Sequence, residues 1–190
     1  MTGVQTCALP IWNKVTIFSM VSVMLLYVAT FSSCSPSKDN VSSVPKLTLG
    51  GIYKFNSGYG YDSFVEIDLG YEDGDGDVGL DDADTLGPFG YKQREFYNLK
   101  VYYQQKVGTQ WIYPMNPLMG PTDTLVLHER IRNITPSGLN KAIHGNLVLT
   151  LPARPFQYRG DTVRFTIQLT DRTLHKSNVI VTPSILLEHP

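Results

Sequence analysis

Apolar and polar residues alternate along much of the chain after residue 46. Val65, Ile67, Leu69 and Tyr71 are separated by acidic residues or glycine. Residues 162 to 170 (TVRFTIQLT) show the same alternation, with the apolar side chains at the odd positions. Successive side chains of a β-strand point to opposite faces, so a period of two predicts strands that bury one face.

Several other segments, bounded by Gly, Pro, Asn or Asp, also predict strands. They cover residues 97 to 105, 110 to 113, 124 to 131, 145 to 151 and 178 to 187. Residues 106 to 109 (KVGT) separate the first two and predict a hairpin. Pro183 has no amide hydrogen, so the last strand should lie at an edge or contain a bulge. About seven short strands and no amphipathic helix are typical of a β-sandwich. We therefore predict an all-β, antiparallel sandwich over residues 47 to 190.

The N-terminal segment has the features of a secretory signal. Residues 15 to 31 carry no charge and are almost wholly apolar, Lys14 precedes them, and two serines lead to Cys34. This order predicts a signal helix within a signal peptide that ends at residue 33. Residues 31 to 34 (FSSC) also resemble the lipobox of bacterial lipoproteins, which implies a covalent lipid on Cys34.

An uncleaved membrane anchor is the alternative to cleavage. The apolar segment would span about 25 Å as a helix, just short of a hydrocarbon core of about 30 Å. The sequence SSCSP that follows it favours a peptidase site, because a stop-transfer flank would carry Lys or Arg.

Residues 1 to 11 resemble translated sequencing-adapter read-through. We exclude them from the fold and expect the true start near Trp12.

Residues 34 to 46 predict a lipidated cysteine followed by a flexible tether, because they are small, polar and interrupted by proline. Residues 35 to 40 (SPSKDN) resemble the export signal of Bacteroidota surface lipoproteins, which implies display on the outer membrane. A plain solvated linker is the alternative.

Cys34 would be the only cysteine of the mature chain, so no disulfide is expected. The net charge of −1 argues against a nucleic-acid partner.

Acidic residues are concentrated between Asp62 and Asp84, a segment with ten carboxylates and no Lys or Arg. Its densest part, residues 73 to 84 (DGDGDVGLDDAD), has carboxylates at the spacing typical of calcium-binding loops. Leu80 should point back into the core. We predict a calcium site with the candidate ligands Asp73, Asp75, Asp77, Asp81 and Asp84.

Other interpretations of this acidic loop differ in what it binds. Gly74, Gly76 and Gly79 match the spacing of a dinucleotide fingerprint. The interleaved aspartates would repel a pyrophosphate and no helix is predicted to follow, so no nucleotide is expected. Val78 stands where an EF-hand has glycine, which favours a calcium loop on a β-scaffold. An acidic turn that is only solvated is the remaining alternative.

Residues 71 to 79 (YEDGDGDVG) resemble the D-G-D-G-D-[LIV]-G turn of a family of uncharacterised Bacteroidota lipoproteins. Residues 98 to 103 (NLKVYY), 134 to 141 (ITPSGLNK) and 171 to 178 (DRTLHKSN) are similar to the other marks of that family. The resemblance spans most of residues 62 to 187. It implies an Ig-like sandwich and no known activity.

The segment from Asp171 to Asn178 also resembles a loop between the last strands of many bacterial Ig-like domains. This resemblance implies that Asp171 and Asn178 add ligands to the acidic loop if both lie at the same end of the domain. The alternative is that Asp171 and Ser177 bond only the backbone of their own turn.

No residue set predicts an enzyme, since the histidines lack zinc-site spacing and no nucleophile motif occurs. The predicted function is a membrane-anchored envelope lipoprotein with a binding or scaffolding role. One alternative is a carbohydrate-binding lipoprotein of a glycan-uptake system, in which Tyr91, Trp111 and Tyr113 would stack on sugars rather than cap the core. The other alternative, a hydrolase, would need an aspartate of the acidic loop near His128 or His144.

Overall fold

The computed structural model describes residues 41–56, 58, 60–118, 120, 123–135, 142–157 and 161–188. The predicted signal helix, Cys34 and most of the predicted tether lie outside this part of the chain. The described residues belong to one unit, Asn40–Pro190. Within them, no helix is long and apolar enough to span a membrane.

Eight β-strands carry the regular structure of the described residues. They are β1 (Lys46–Asn56), β2 (Asp62–Asp73), β3 (Leu99–Val107), β4 (Gln110–Ile112), β5 (Ile143–Pro152), β6 (Thr162–Leu169), β7 (Ile180–Val181) and β8 (Ile185–Leu186). Two short 3-10 turns, Gly87–Phe89 and Pro155–Gln157, are the only helical elements there. The predicted all-β class is therefore confirmed.

The strands form two antiparallel sheets. One has the order β1-β2-β5, and the other has the order β4-β3-β6-β7, with β8 also paired to β6. Alternate side chains of both sheets meet in one hydrophobic core. Ile67 of β2 and Phe165 of β6 are fully buried within it, and Tyr103 of β3 packs edge-on against Phe165 at a ring distance of 5.6 Å.

The predicted strand at residues 124 to 131 is an extended segment joined to β3 by isolated bridges. Side chains form some of the hydrogen bonds that backbone groups would form in a regular pair of strands. The Val101 amide donates to Nδ1 of His128, and the Ile131 amide donates to Oδ1 of Asn98. The segment therefore follows the edge of β3 without forming a regular strand.

The predicted closing strand at residues 178 to 187 is divided into β7 and β8, both paired with β6. At the break, the Phe165 amide donates to the hydroxyl of Thr182 instead of to a backbone carbonyl. Pro183 follows and has no amide hydrogen to donate. The division agrees with the bulge that this proline predicts.

Strand β1 was not among the predicted strands, because a bulge conceals its alternation. Leu49 pairs with Leu69 of β2, but Gly51 pairs with Asp68, so Gly50 is an extra residue. Such an insertion moves every later side chain to the opposite face. Leu47 and Ile52 consequently both pack in or against the core, although one position is odd and the other even.

We expect Phe165→Ala to lower the free energy of unfolding by about 3–5 kcal/mol, because it leaves a cavity between the two sheets. Urea denaturation followed by tryptophan fluorescence measures this loss. Val181→Ala, at a half-exposed position of the edge strand β7, is the control and should change stability by less than about 0.5 kcal/mol. Equal effects of the two substitutions would contradict a core between the sheets.

Candidate metal centre

The acidic loop begins where β2 ends. Asp73 is the last residue of β2 and pairs with Ile143 of β5. Its Oδ2 accepts a hydrogen bond of 2.9 Å from the amide of Asp77, which turns the chain back on itself. Gly76 and Gly79 have positive φ angles of 66° and 95°. These conformations are readily adopted by glycine, so the loop can turn twice within four residues.

A second turn approaches from the other sheet, just after β6. Oδ1 of Asp171 accepts hydrogen bonds from the His175 amide at 2.7 Å and from the Thr173 hydroxyl at 3.1 Å. The Arg172 amide donates to the backbone oxygen of Asp77, and the Thr173 amide donates to the carboxylate of Asp77. The turn after β6 is thus attached directly to the acidic loop.

Three carboxylates converge where these turns meet. One oxygen each of Asp73, Asp77 and Asp171 lies within 4.8 Å of the other two. Asp73 and Asp171 are fully buried. The Oδ1 atoms of Asp73, Asp75 and Asp77 are also buried, and none has a hydrogen-bond partner among the described residues. Buried polar atoms normally have partners, so these oxygens are candidate ligands for a cation.

The electrostatics of the cluster favour a cation. Burial, together with the neighbouring charge of Asp75, raises the pKa of Asp73 to about 6. Burial and the charges of Asp171 and Asp75 raise the pKa of Asp77. Two carboxylates about 5 Å apart repel each other by about 3 kcal/mol at an effective dielectric of 20. A bound cation would attract each carboxylate and so offset the repulsion between them.

Asp81 and Asp84 lie in a separate arrangement. Arg172 contacts both carboxylates, with Nη2 at 3.1 Å from Oδ2 of Asp81 and Nε at 3.6 Å from Oδ2 of Asp84. Arg130 donates to the backbone oxygens of the same two residues. The structure therefore gives these predicted ligands cationic partners and does not bring them to the three-carboxylate cluster. Leu80 is buried in the core, as predicted.

The two additional candidate ligands also differ in position. Asp171 lies in the cluster and also bonds its own turn, so its position is compatible with both interpretations. Asn178 uses both atoms of its amide on the backbone of Leu47. It fastens the start of β1 and is not part of the cluster.

Sequence reasoning did not assign a role to His175. Its Nδ1 lies 3.0 Å from Oδ2 of Asp171, and its ring is partly exposed. The two residues are four positions apart in the sequence. That spacing predicts a contact only when the conformation of the turn is known. His175 orients the Asp171 carboxylate from the side facing solvent.

The three predicted binding aromatics differ in exposure. Tyr91 is 73% exposed and Tyr113 is 46% exposed. Trp111 is half-buried, and the guanidinium carbon of Arg164 lies 4.3 Å from its ring centroid. One face of the indole is therefore covered by a side chain of the same domain.

The two histidines considered for hydrolysis are His128, in the extended segment beside β3, and His144, in β5. His128 packs between Tyr102 and Tyr97 and bonds the backbone of Val101. His144 lies in β5, opposite Glu72 of β2. Neither histidine has a described hydrogen bond or ion pair with an aspartate of residues 73 to 84.

Comparison with protein-family models, with curated proteins and with solved structures gives no match to this chain.

We expect His128 to make the protein less stable in acid. Burial, aided by the charge of Lys100, lowers the pKa of His128 from 6.5 to about 4. Between these two pH values the unfolded chain binds the additional proton, so stability should fall as the pH falls through this window. The free energy of unfolding, measured by urea denaturation across the window, tests this expectation.

His128→Asn is the matched variant for this test, because its amide oxygen can accept from Val101 and does not titrate. The variant should lose less stability than the parent between pH 6.5 and pH 4. Slopes are compared rather than absolute stabilities, since the substitution also removes ring contacts. Identical slopes would show that His128 is not the responsible group.

Proposed function

We propose that this chain is a membrane-anchored envelope lipoprotein with a binding or scaffolding role, whose acidic loop is ordered by a calcium ion. The observation that carries the calcium part is the convergence of Asp73, Asp77 and Asp171 from two different sheets. Unpartnered carboxylate oxygens in the interior of the loop support it independently. Asp75 is a further ligand in this proposal.

The ligand chemistry supports a hard cation of the size of calcium. Calcium binds oxygen at about 2.3–2.6 Å, so two oxygens on one ion can be at most about 5 Å apart. The cluster meets this limit, since its three oxygens lie within 4.8 Å of one another. Calcium takes six to eight oxygens in irregular geometry, and water would complete the set at the partly exposed side of the loop.

The anchoring part of the proposal rests on the N-terminal sequence. The uncharged apolar segment and the FSSC sequence support secretion and a lipid on Cys34. Display on the outer membrane is supported by the resemblance of residues 35 to 40 to an export signal. For the fold, two antiparallel sheets around one core support an Ig-like sandwich.

Carbohydrate binding has less support than a calcium-ordered scaffold. A sugar-binding platform presents the flat face of a ring to the ligand. Arg164 already occupies one face of Trp111. Tyr91 and Tyr113 remain exposed, so a glycan array with single-tyrosine variants would test this alternative.

We expect calcium to raise the melting temperature of the full-length chain in detergent micelles. At about 10 mM calcium and a dissociation constant of about 0.1–1 mM, the stabilisation is about 1.4–2.7 kcal/mol. This corresponds to a shift in Tm of about 3–10 °C for a domain of this size. An excess of EDTA should reverse the shift.

Asp73→Asn should abolish this calcium effect, because it removes a buried charge while its amide oxygen can still accept from Asp77. Asp81→Asn is the matched control and should keep the effect, since Asp81 pairs with Arg172 outside the cluster. Differential scanning calorimetry with and without calcium measures both variants. An unchanged Tm of the parent chain in calcium would refute the ion site.

Cys34→Ala should prevent lipid attachment. We expect the variant to lose incorporation of radiolabelled fatty acid and to appear in the soluble fraction or as an unprocessed precursor. Unchanged labelling and membrane fractionation of the variant would favour the uncleaved helix instead.

A further inference from the structure

The first described residues of the chain lie across the acidic loop. The Gly74 amide donates a 2.8 Å hydrogen bond to the backbone oxygen of Ser42. A Cβ atom at Gly74 would lie only 2.1 Å from the backbone oxygen of Val41. The chain therefore passes Gly74 so closely that no side chain fits between them.

This contact holds a segment that is otherwise exposed. Residues 41 to 44 are exposed to solvent, whereas Pro45 is buried and Lys46 begins β1. The bond from Gly74 is the one described hydrogen bond between residues 41–44 and the remainder of the domain. Asn178 fastens Leu47 separately, through both atoms of its amide. Loss of the Gly74 contact would therefore free residues 41 to 44 and leave β1 in place.

Gly74 lies between two carboxylates that face the ion site, Asp73 and Asp75. Without a cation, repulsion among Asp73, Asp77 and Asp171 favours an open loop. Opening moves the Gly74 amide away from Ser42. With a cation bound, the ligands are drawn together and the amide is held where it meets the Ser42 carbonyl.

We propose that a divalent cation bound by Asp73, Asp77 and Asp171 clamps residues 41 to 44 onto the domain, and that removal of the cation releases them. This inference rests on the proposed cation site and adds its regulatory role. Residues 41 to 44 connect the domain to the predicted anchor at Cys34. Four extended residues add about 14 Å of reach. The cation therefore sets whether residues 41 to 44 are held against the domain or lengthen the predicted tether.

Hydrogen exchange with mass spectrometry on the full-length chain in detergent micelles tests the clamp. Calcium should slow exchange at least tenfold, relative to EDTA, at the Gly74 amide, which donates the hydrogen bond to Ser42. Amides in the centre of β6 should not change. Terbium luminescence on the same sample reports ion binding independently of the clamp.

Gly74→Ala separates the clamp from ion binding. The added Cβ collides with residues 41 and 42, while all the carboxylates remain. We expect this variant to keep terbium luminescence and to exchange rapidly at the amide of residue 74 with or without calcium. Asp73→Asn should abolish both the luminescence and the calcium-dependent protection, and it serves as the second variant if Gly74→Ala does not fold.

The outcomes distinguish the two proposals. Terbium binding without a change in exchange at the Gly74 amide would overturn the clamp and leave the ion site standing. Protection of the amide of residue 74 in Gly74→Ala equal to that of the parent chain would also overturn it. Absence of ion binding in the parent chain would overturn the proposed site itself.

Discussion

The rest of the structure depends on the burial of alternate side chains from two sheets in one core. Strands β2 and β6 belong to different sheets, and both contribute their odd-numbered apolar residues to it. Because the two strands end at the same end of the domain, the turns that follow them meet. Asp73 closes β2, and Asp171 follows β6 after a single residue. Packing of apolar groups thereby brings together carboxylates that repel each other.

That juxtaposition explains why the loop contains so many unsatisfied oxygens. The amide of Asp77 and the turn at residues 171 to 175 satisfy some of the carboxylate oxygens. The remaining inward oxygens of Asp73, Asp75 and Asp77 have no described partner. Arg172 does not neutralise them, because its guanidinium pairs with Asp81 and Asp84 instead. The acidic segment thus consists of a part neutralised by arginine and a part suited to a metal ion.

Side-chain hydrogen bonds replace backbone pairing at the margins of the second sheet. His128 and Asn98 do so beside β3, and Thr182 does so between β7 and β8. These irregular edges lack the uniform row of free amides that would favour pairing with another chain. These side-chain hydrogen bonds also account for the difference between the predicted and the observed strands. They interrupt the backbone hydrogen bonds between strands without changing the apolar pattern of the sequence.

The sequence alone determined the all-β class, the hairpin between β3 and β4, the long strands β2, β5 and β6, and the acidic loop as the place of the candidate site. These features follow from local alternation and local composition, which need no knowledge of distant residues. The bulge at Gly50 hid β1, because one inserted residue reverses the phase of the pattern.

Only the tertiary structure decided which carboxylates lie together in the candidate site. In the sequence, Asp81 and Asp84 fit a twelve-residue calcium loop as well as Asp73 and Asp77 do. In the fold, Arg172 pairs with Asp81 and Asp84 outside the cluster. Asp171, almost a hundred residues further along the chain, lies beside Asp73 and Asp77 instead. The choice depends on which strand ends the common core places side by side. Residue spacing within one loop carries no information about that proximity.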